Sequence, residues 1–439
     1  MLERAYYYID KIAFLFIAII VLFAAFNRPI VNYAAACLLL CYLIYPHKNF
    51  QKALKHPLII GCLVWIAWLI MASLLAQHPA TAFDNIKGHN WLLYPLLFFP
   101  FLANNHKRIQ YLLTLIIGVF IVYLAITYFS LIFLTPDQYL VFHSGYLQLL
   151  PEGKADFPLP SSHFNTAIIY IYLVASAYAL WHYTSSKWLK IGLALLGLLA
   201  LYADMSINTS RMGYVTELTL LCLFITLQWR LKGLVSFLII IAISIPLLYT
   251  TSHAFHSRVN QGITNATSYI HAAQQGNAKQ LQQAAQTSFG NRLVNLDLMS
   301  HKMWQSSWLR NLIGFGPGHY PLLLHQYINH LPKESPYFNI KPVYYGPDND
   351  YFKNWVETGI IGVLLLLAIL IYWLYYTRFI LVPYKTWAQS GVLIYLISIL
   401  FVDPNDALLI RIIMLPIFIT YMHYQLPTED QSSNENKDL

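Results

Sequence analysis

Apolar residues fill the chain in long runs, and polar or charged residues gather in the short segments between them. A helix needs roughly 17–25 mainly apolar residues to cross a bilayer. On that measure the runs predict spans over residues 12–26, 30–45, 57–76, 91–103, 111–134, 164–183, 189–201, 212–227, 234–249, 359–377, 387–401 and 408–424. Several are short as drawn, and ends read from sequence shift by about 2–4 residues. The pattern predicts an all-α polytopic membrane protein of about 12 transmembrane helices. Spans 1–9 fall in residues 1–250 and spans 10–12 in 354–426, with a polar, acidic tail over 427–439 that is expected to be disordered. The first run also has the form of a signal-peptide core. Asn27, Arg28 and Pro29 follow it and another apolar run starts at once, so it reads as a retained span.

Residues 251–353 interrupt the rhythm with a loop far longer than a connection needs, and such loops carry function or are disordered. This one reads as partly helical. Residues 261–286 are rich in Ala and Gln with few breakers, and residues 292–310 set Leu293, Leu296, Met303, Trp304 and Trp308 at spacings of one helical stripe. Two helices are expected, and the bilayer surface is one place open to them. Gly314-Phe-Gly-Pro-Gly-His319 then breaks the pattern; it follows no strand, so it reads as a turn and not as a dinucleotide fingerprint.

Composition agrees with lipid as the solvent: 58% of residues are hydrophobic, 10% are charged, and mean hydropathy is +0.51. The 33 Tyr, 25 Phe and 11 Trp suit rings placed at membrane boundaries. The formal charge of +8 fits cytoplasmic loop charge, anionic lipid or a phosphate-bearing substrate, and without a basic run it excludes nucleic acid. Cys37, Cys41, Cys62 and Cys222 all lie in apolar stretches and read as small apolar residues, neither disulfides nor metal ligands. Sidedness follows from the short loops. With the N-terminus in the cytoplasm, the inner side holds Arg4, Lys11, Lys48, Lys52, Lys55, Lys107, Arg108, Lys187, Lys190, Arg230, Lys232, Arg378, Lys385 and Lys437. The outer short loops hold only Arg28, Lys87, Lys154, Arg211 and Arg411. Both termini are thus expected in the cytoplasm of a bacterial inner-membrane protein, with loop 251–353, between spans 9 and 10, in the periplasm.

Charges on the outer side are few enough to weigh singly. Arg211 follows Ser206-Ile-Asn-Thr-Ser210 at the mouth of a span; its guanidinium fork matches phosphate, and a snorkelling interfacial arginine explains it equally well. Arg411 lies a turn inside an apolar span after Asp403-Pro-Asn-Asp406, where an intramembrane charge is a functional candidate by default and a structural pair with Asp403 or Asp406 is the alternative. Glu217 does not share a helical face with Arg211 and carries little weight. In Asp348-Asn349-Asp350-Tyr351, two carboxylates flanking an amide suit a sugar hydroxyl and its proton, and helix capping explains them as well.

Together these pieces resemble the O-antigen ligase and O-antigen polymerase family of bacterial envelope glycosyltransferases. Asn208-Thr-Ser-Arg211-Met-Gly213 resembles the family's Ser/Thr-Arg-Gly/Ala element. Ser288-Phe-Gly290-Asn-Arg292, then Trp304 and Gly314-Phe-Gly316, resembles its Gly-Arg, aromatic and Gly-x-Gly run. Asn349-Asp-Tyr351 with Glu357-Thr-Gly359-Ile-Ile-Gly362 resembles the His-Asn segment followed by Glu-x-Gly-x-x-Gly, and Asp403, Asp406 and Arg411 resemble the penultimate loop and last span of the ligases. One departure stands out: the family usually has His before that Asn, described as the base, where this chain has Asp348. Either Asp348 takes the role, or His319, His325 or His330 does, or the activity has changed.

The resemblance implies a metal-independent, cofactor-free transferase that moves a glycan from undecaprenyl diphosphate to lipid A-core. Arg211 and Arg292 would hold the diphosphate and Asp348 would accept the acceptor's proton; His319, Asn349, Asp350, Tyr351 and Arg411 would line the substrate site. An ordinary carboxylate, with a pKa near about 4, is a weak base, so that role needs a raised pKa. Polymerisation of lipid-linked repeats and transfer to a protein such as pilin share the same architecture. The non-enzyme alternative is a secondary transporter, which predicts paired broken helices at mid-membrane and repeated halves; no repeat is visible.

Overall fold

A computed structural model of the chain describes residues 2–45, 50–103, 105–133, 138–143, 146–151, 163–181, 184–204, scattered positions from 216 to 250, then 253–338, 340, 349–381, 384–400 and 407–423. Helices dominate. The first group is α1 (Leu2–Phe23), α2 (Arg28–Ile44), α3 (Phe50–Leu54), α4 (Pro57–Leu74), α5 (Pro79–Ile86), a 3-10 segment (Lys87–Leu93), α6 (Tyr94–Leu102) and α7 (His106–Phe133). After a β-hairpin come α8 (His163–Trp181) and α9 (Lys187–Tyr202). The long loop contains α10 (His253–Gln275), α11 (Ala278–Ala285), α12 (Ser288–Gln305), α13 (Trp308–Ile313) and α14 (Tyr320–Asn329). The chain closes with α15 (Asp350–Tyr376), α16 (Tyr384–Ser398) and α17 (Ala407–Tyr421).

The helical class holds, with one small hairpin that the apolar pattern did not predict. Strands β1 (Gln138–His143) and β2 (Tyr146–Pro151) pair antiparallel, with Gln138 opposite Pro151 and His143 opposite Tyr146. Two six-residue apolar runs are too short to show a period, and pairing supplies the hydrogen bonds that such short helices would leave open.

Among the described residues, four helices are long and apolar enough to cross a membrane: Glu3–Phe23, Pro57–Leu74, His106–Phe133 and Asp350–Phe379. Pro29–Ile44, Thr166–Trp181 and Arg411–Tyr421 are shorter apolar helices. The expected spans 212–227 and 234–249 lie largely outside the described residues, and so does the tail beyond 423. Contacts sort the helix ends into two sets. At one end, Arg108 pairs with Asp10 (2.7 Å) and donates to the Phe101 carbonyl (2.9 Å). At that same end of α7, His106 stacks on His423, which stacks on Tyr384. At the other end meet the C-termini of α4 and α16, the start of α15 and residues 310–316. Helices that run back and forth through one layer produce this sorting.

Two cores result. The larger joins α1, α2, α4, α6–α9 and α15–α17 through residues such as Ile17, Leu58, Phe98, Tyr172 and Phe418. The smaller joins α10–α12 and α14 with Phe315, Ile340 and Val356, so α15 contributes to both. In α12 the buried positions are Val294, Leu298, Met299 and Met303. The predicted stripe is therefore corrected: Trp304 and Trp308 are exposed, because Trp304 lies about 100° past Met303 and Trp308 begins a new helix capped by Ser307. The smaller core is tied by Asp297, whose Oδ2 accepts from Tyr269 (2.8 Å) and from Tyr337. Burial and the Asp297 carboxylate push the Tyr337 phenol up to about 12.

Candidate functional site

Helix α15 is broken at Gly359, which takes φ 71° and ψ 179° inside an otherwise regular helix. That turns the carbonyls of Val356 and Glu357 out of the helical ladder, and the N–H groups of Phe315 (2.9 Å) and Gly316 (2.8 Å) donate to them. Two glycines make the approach possible. A Cβ on Gly359 would sit 2.0 Å from the Leu312 carbonyl oxygen, and one on Gly314 would sit 2.4 Å from the backbone of Glu357. Three further donors of the loop are engaged: Gly314 to Arg310 O (2.8 Å), His319 to Gly316 O (3.2 Å) and Tyr320 to the Glu357 carboxylate (3.3 Å). The glycine-rich segment is thus a clamp on a helix break. A phosphate cradle would need those N–H groups pointing at a ligand.

Above the break, α15 turns polar groups inward. Asp350, Lys353, Asn354 and Glu357 are 7%, 5%, 9% and 6% exposed, and their spacing of three, four and seven residues places them on one face. Asn354 donates to Asp350 Oδ2 (2.9 Å), and the buried Thr358 hydroxyl donates to Asn354 O (2.8 Å). Asn349 caps the helix by accepting from Phe352 N (2.9 Å); the Asp350 N–H donates to Ile399 O (2.8 Å) and Tyr351 Oη to Leu396 O (3.0 Å). Asn349, Asp350 and Tyr351 are therefore gathered where α15 begins, pinned to the end of α16. Asp350 complements the positive end of the helix, whereas Lys353 opposes it, so helix electrostatics do not account for a buried lysine in the first turn. Ionisable groups gathered and buried on one face of a helix that continues into a span mark a candidate functional site by default.

His319 sits on the clamp, fully buried, its ring parallel to that of His78 at 5.8 Å. Its Nδ1 lies 3.3 Å from Pro317 O; a carbonyl only accepts, so Nδ1 carries the proton and Nε2 the lone pair, with no partner among the described residues. Burial lowers the imidazole pKa, outweighing the raising effect of backbone contacts at Pro317 and Gly316, and His78 and Arg310 add to the lowering. The ring is neutral near pH 7. Arg310 fastens the same corner by donating to Leu75 O (2.9 Å) and Gly314 O (3.2 Å).

Arg292 lies half-buried on α12, one turn before Asn295, whose carbonyl accepts from Tyr320 Oη (3.3 Å). Arg411 is 2% exposed on α17, donates to Asn32 Oδ1 on α2 (3.0 Å), and lines an apolar cavity with Val21, Phe120 and Pro416. It faces the α1, α2 and α7 side of the bundle and not the stripe on α15. Arg211, Glu217, Asp348, Asp403 and Asp406 lie outside the described residues. Sequence reasoning did not single out Lys353 and Asn354, although the polar i, i+3, i+4, i+7 spacing was there to be read. It also passed over Asp204, a fully buried carboxylate at the end of α9 close to Tyr170. No group of three His, Cys, Asp or Glu among the described residues is placed to share a metal ion.

Residues 204–367 match the family model described as O-antigen ligase. No curated protein matches the chain. The matched stretch holds Asp204, Arg292, His319, the stripe on α15 and the Gly359 break; Arg411 lies beyond it. The resemblance read from the motifs is borne out. Members of this family are glycosyltransferase-like enzymes with lipid-linked glycan substrates, and the match and the apolar helices together mark a multi-pass membrane protein.

Proposed function

We propose, with the O-antigen ligase match as premise, that this chain transfers a glycan from undecaprenyl diphosphate to lipid A-core at the outer face of a bacterial inner membrane, both termini being cytoplasmic. The observation that carries the reading is the buried charged face of α15 inside the matched stretch. The reaction displaces a diphosphate from an anomeric carbon. Charge developing on the leaving group needs fixed cations, and the acceptor hydroxyl needs a base. Arg211 and Arg292 take the first task and Asp348 the second, with Asn349, Asp350, Tyr351 and His319 orienting donor and acceptor; Arg411 would meet substrate only from the α1, α2 and α7 side, and no metal takes part. A secondary transporter is the weaker reading, because the break in α15 lies at the end of the span against α13 and not at mid-membrane.

A deletion strain's surface glycan decides the reading. Loss of all long chains from lipid A-core, with lipid-linked polymer accumulating, is expected. Single-repeat chains would mean a polymerase, and unchanged lipopolysaccharide with unglycosylated pilin a protein transferase. For the cations, Arg211→Lys and Arg292→Lys are expected to impair transfer, since lysine keeps the charge and loses the two-pronged geometry, and Ala is expected to impair it more. Full transfer by normally expressed Arg211→Ala and Arg292→Ala would remove both from the site.

A further inference from the structure

The last turn of α12 and the short helix α13 present large apolar side chains outward: Trp304 is 78% exposed, Trp308 73% and Leu309 47%. Clustered exposed tryptophans on a soluble face are rare and need a partner. The position of α13 in the fold supplies it. Arg310 donates to the carbonyl of Leu75, the residue that ends α4, and the carbonyl of Leu312 rests on Gly359. Helix α4, with 18 residues, is about 27 Å long, and the stretch of α15 below its break, residues 360–376, is about 26 Å. Both match the roughly 30 Å hydrocarbon core, so Leu75 and Gly359 mark one boundary of the bilayer. The surfaces leading up to that boundary are already lipid-facing: Met71, Leu74 and Leu75 on α4 and Ile360 and Leu364 on α15 are all exposed.

We propose that Trp304, Trp308 and Leu309 dock into the headgroup layer of the leaflet at this end, as a continuation of the lipid-facing surface of α4 and α15. Tryptophan suits that depth, since its ring is apolar and its N–H stays hydrogen-bonded to the wet layer. A soluble protein partner would need a surface shaped to straddle the bilayer edge, whereas the leaflet is present wherever α4 is inserted. The consequence is that the clamp and the buried face of α15 are held at a fixed height above the leaflet in which a lipid-linked substrate would sit. The inference does not depend on the transferase reading.

The test uses the full chain in nanodiscs of phosphatidylethanolamine and phosphatidylglycerol, with an environment-sensitive fluorescent amino acid placed at position 308 by codon suppression. The native side chain there is exposed, so the replacement is tolerated by packing. Lipids carrying a nitroxide near the headgroup are expected to remove about half of the emission or more, while aqueous iodide removes little. Strong iodide quenching with no effect of the nitroxide lipid would put α13 in water and overturn the proposal. Emission quenched by neither would mean that protein covers the face, which overturns it equally.

Discussion

Asp348→Asn is expected to lower glycan transfer by about 10²–10⁴-fold, the usual span for removing a general base. The substitution keeps size and most hydrogen bonding, so binding of lipid-linked donor should be nearly unchanged. Asp348→His should keep partial activity, with a pH dependence moved toward the imidazole range near about 6.5. Asp350 is the control. Its carboxylate is buried and accepts from Asn354, so Asp350→Asn should show itself first in the yield of folded protein. The measurement is turnover by purified, folded Asp348→Asn enzyme with donor and acceptor saturating. Near wild-type turnover would sink the role and move it to His319, whose neutral ring has a lone pair on Nε2, or to His325 and His330.

Gly359→Ala is expected to be severely destabilising. The backbone at Gly359, φ 71° and ψ 179°, lies in a region open essentially to glycine alone and costs another residue about 1–3 kcal/mol. The new Cβ would also lie 2.0 Å from the Leu312 oxygen, which cannot yield without undoing the Phe315 and Gly316 hydrogen bonds to α15. Each of those carbonyls, left open at the membrane boundary, costs several kcal/mol more. The yield of monodisperse protein and its thermal midpoint should both fall sharply. Gly88→Ala is the companion, since a Cβ at Gly88 meets nothing within 4 Å. If the two variants are equally stable, the clamp does not hold the fold.

The longest apolar helices were legible because hydropathy integrates over many residues, and Gly359 was legible as the start of an apolar run because that run begins there. The nine residues of α15 above it were not, since a helix that faces a protein-filled, charged environment has no hydropathy signal. The same inversion hid Lys353 and Asn354. Polar residues were weighed one at a time for chemistry, while their common face appears only once the helix is drawn through them. The glycine-rich run 314–318 was read as a turn, and it is one. Its purpose was out of reach, because its hydrogen-bond partners are more than 35 residues away, at Val356 and Glu357. Trp304 and Trp308 were assigned to the same stripe as Met303 because their spacing suits one helix; that the helix ends at Gln305, and which side is wet, dry or lipid, depends on the fold around α4.

On the proposed reading, the clamp also limits how a substrate can reach the buried face of α15. Lifting residues 314–316 off the break would strand two carbonyls beside hydrocarbon, so this corner cannot act as a door that swings while the span stays still. Loop and span move as one body or not at all. On the proposed reading, a passage for a bulky glycan would therefore open elsewhere around α15.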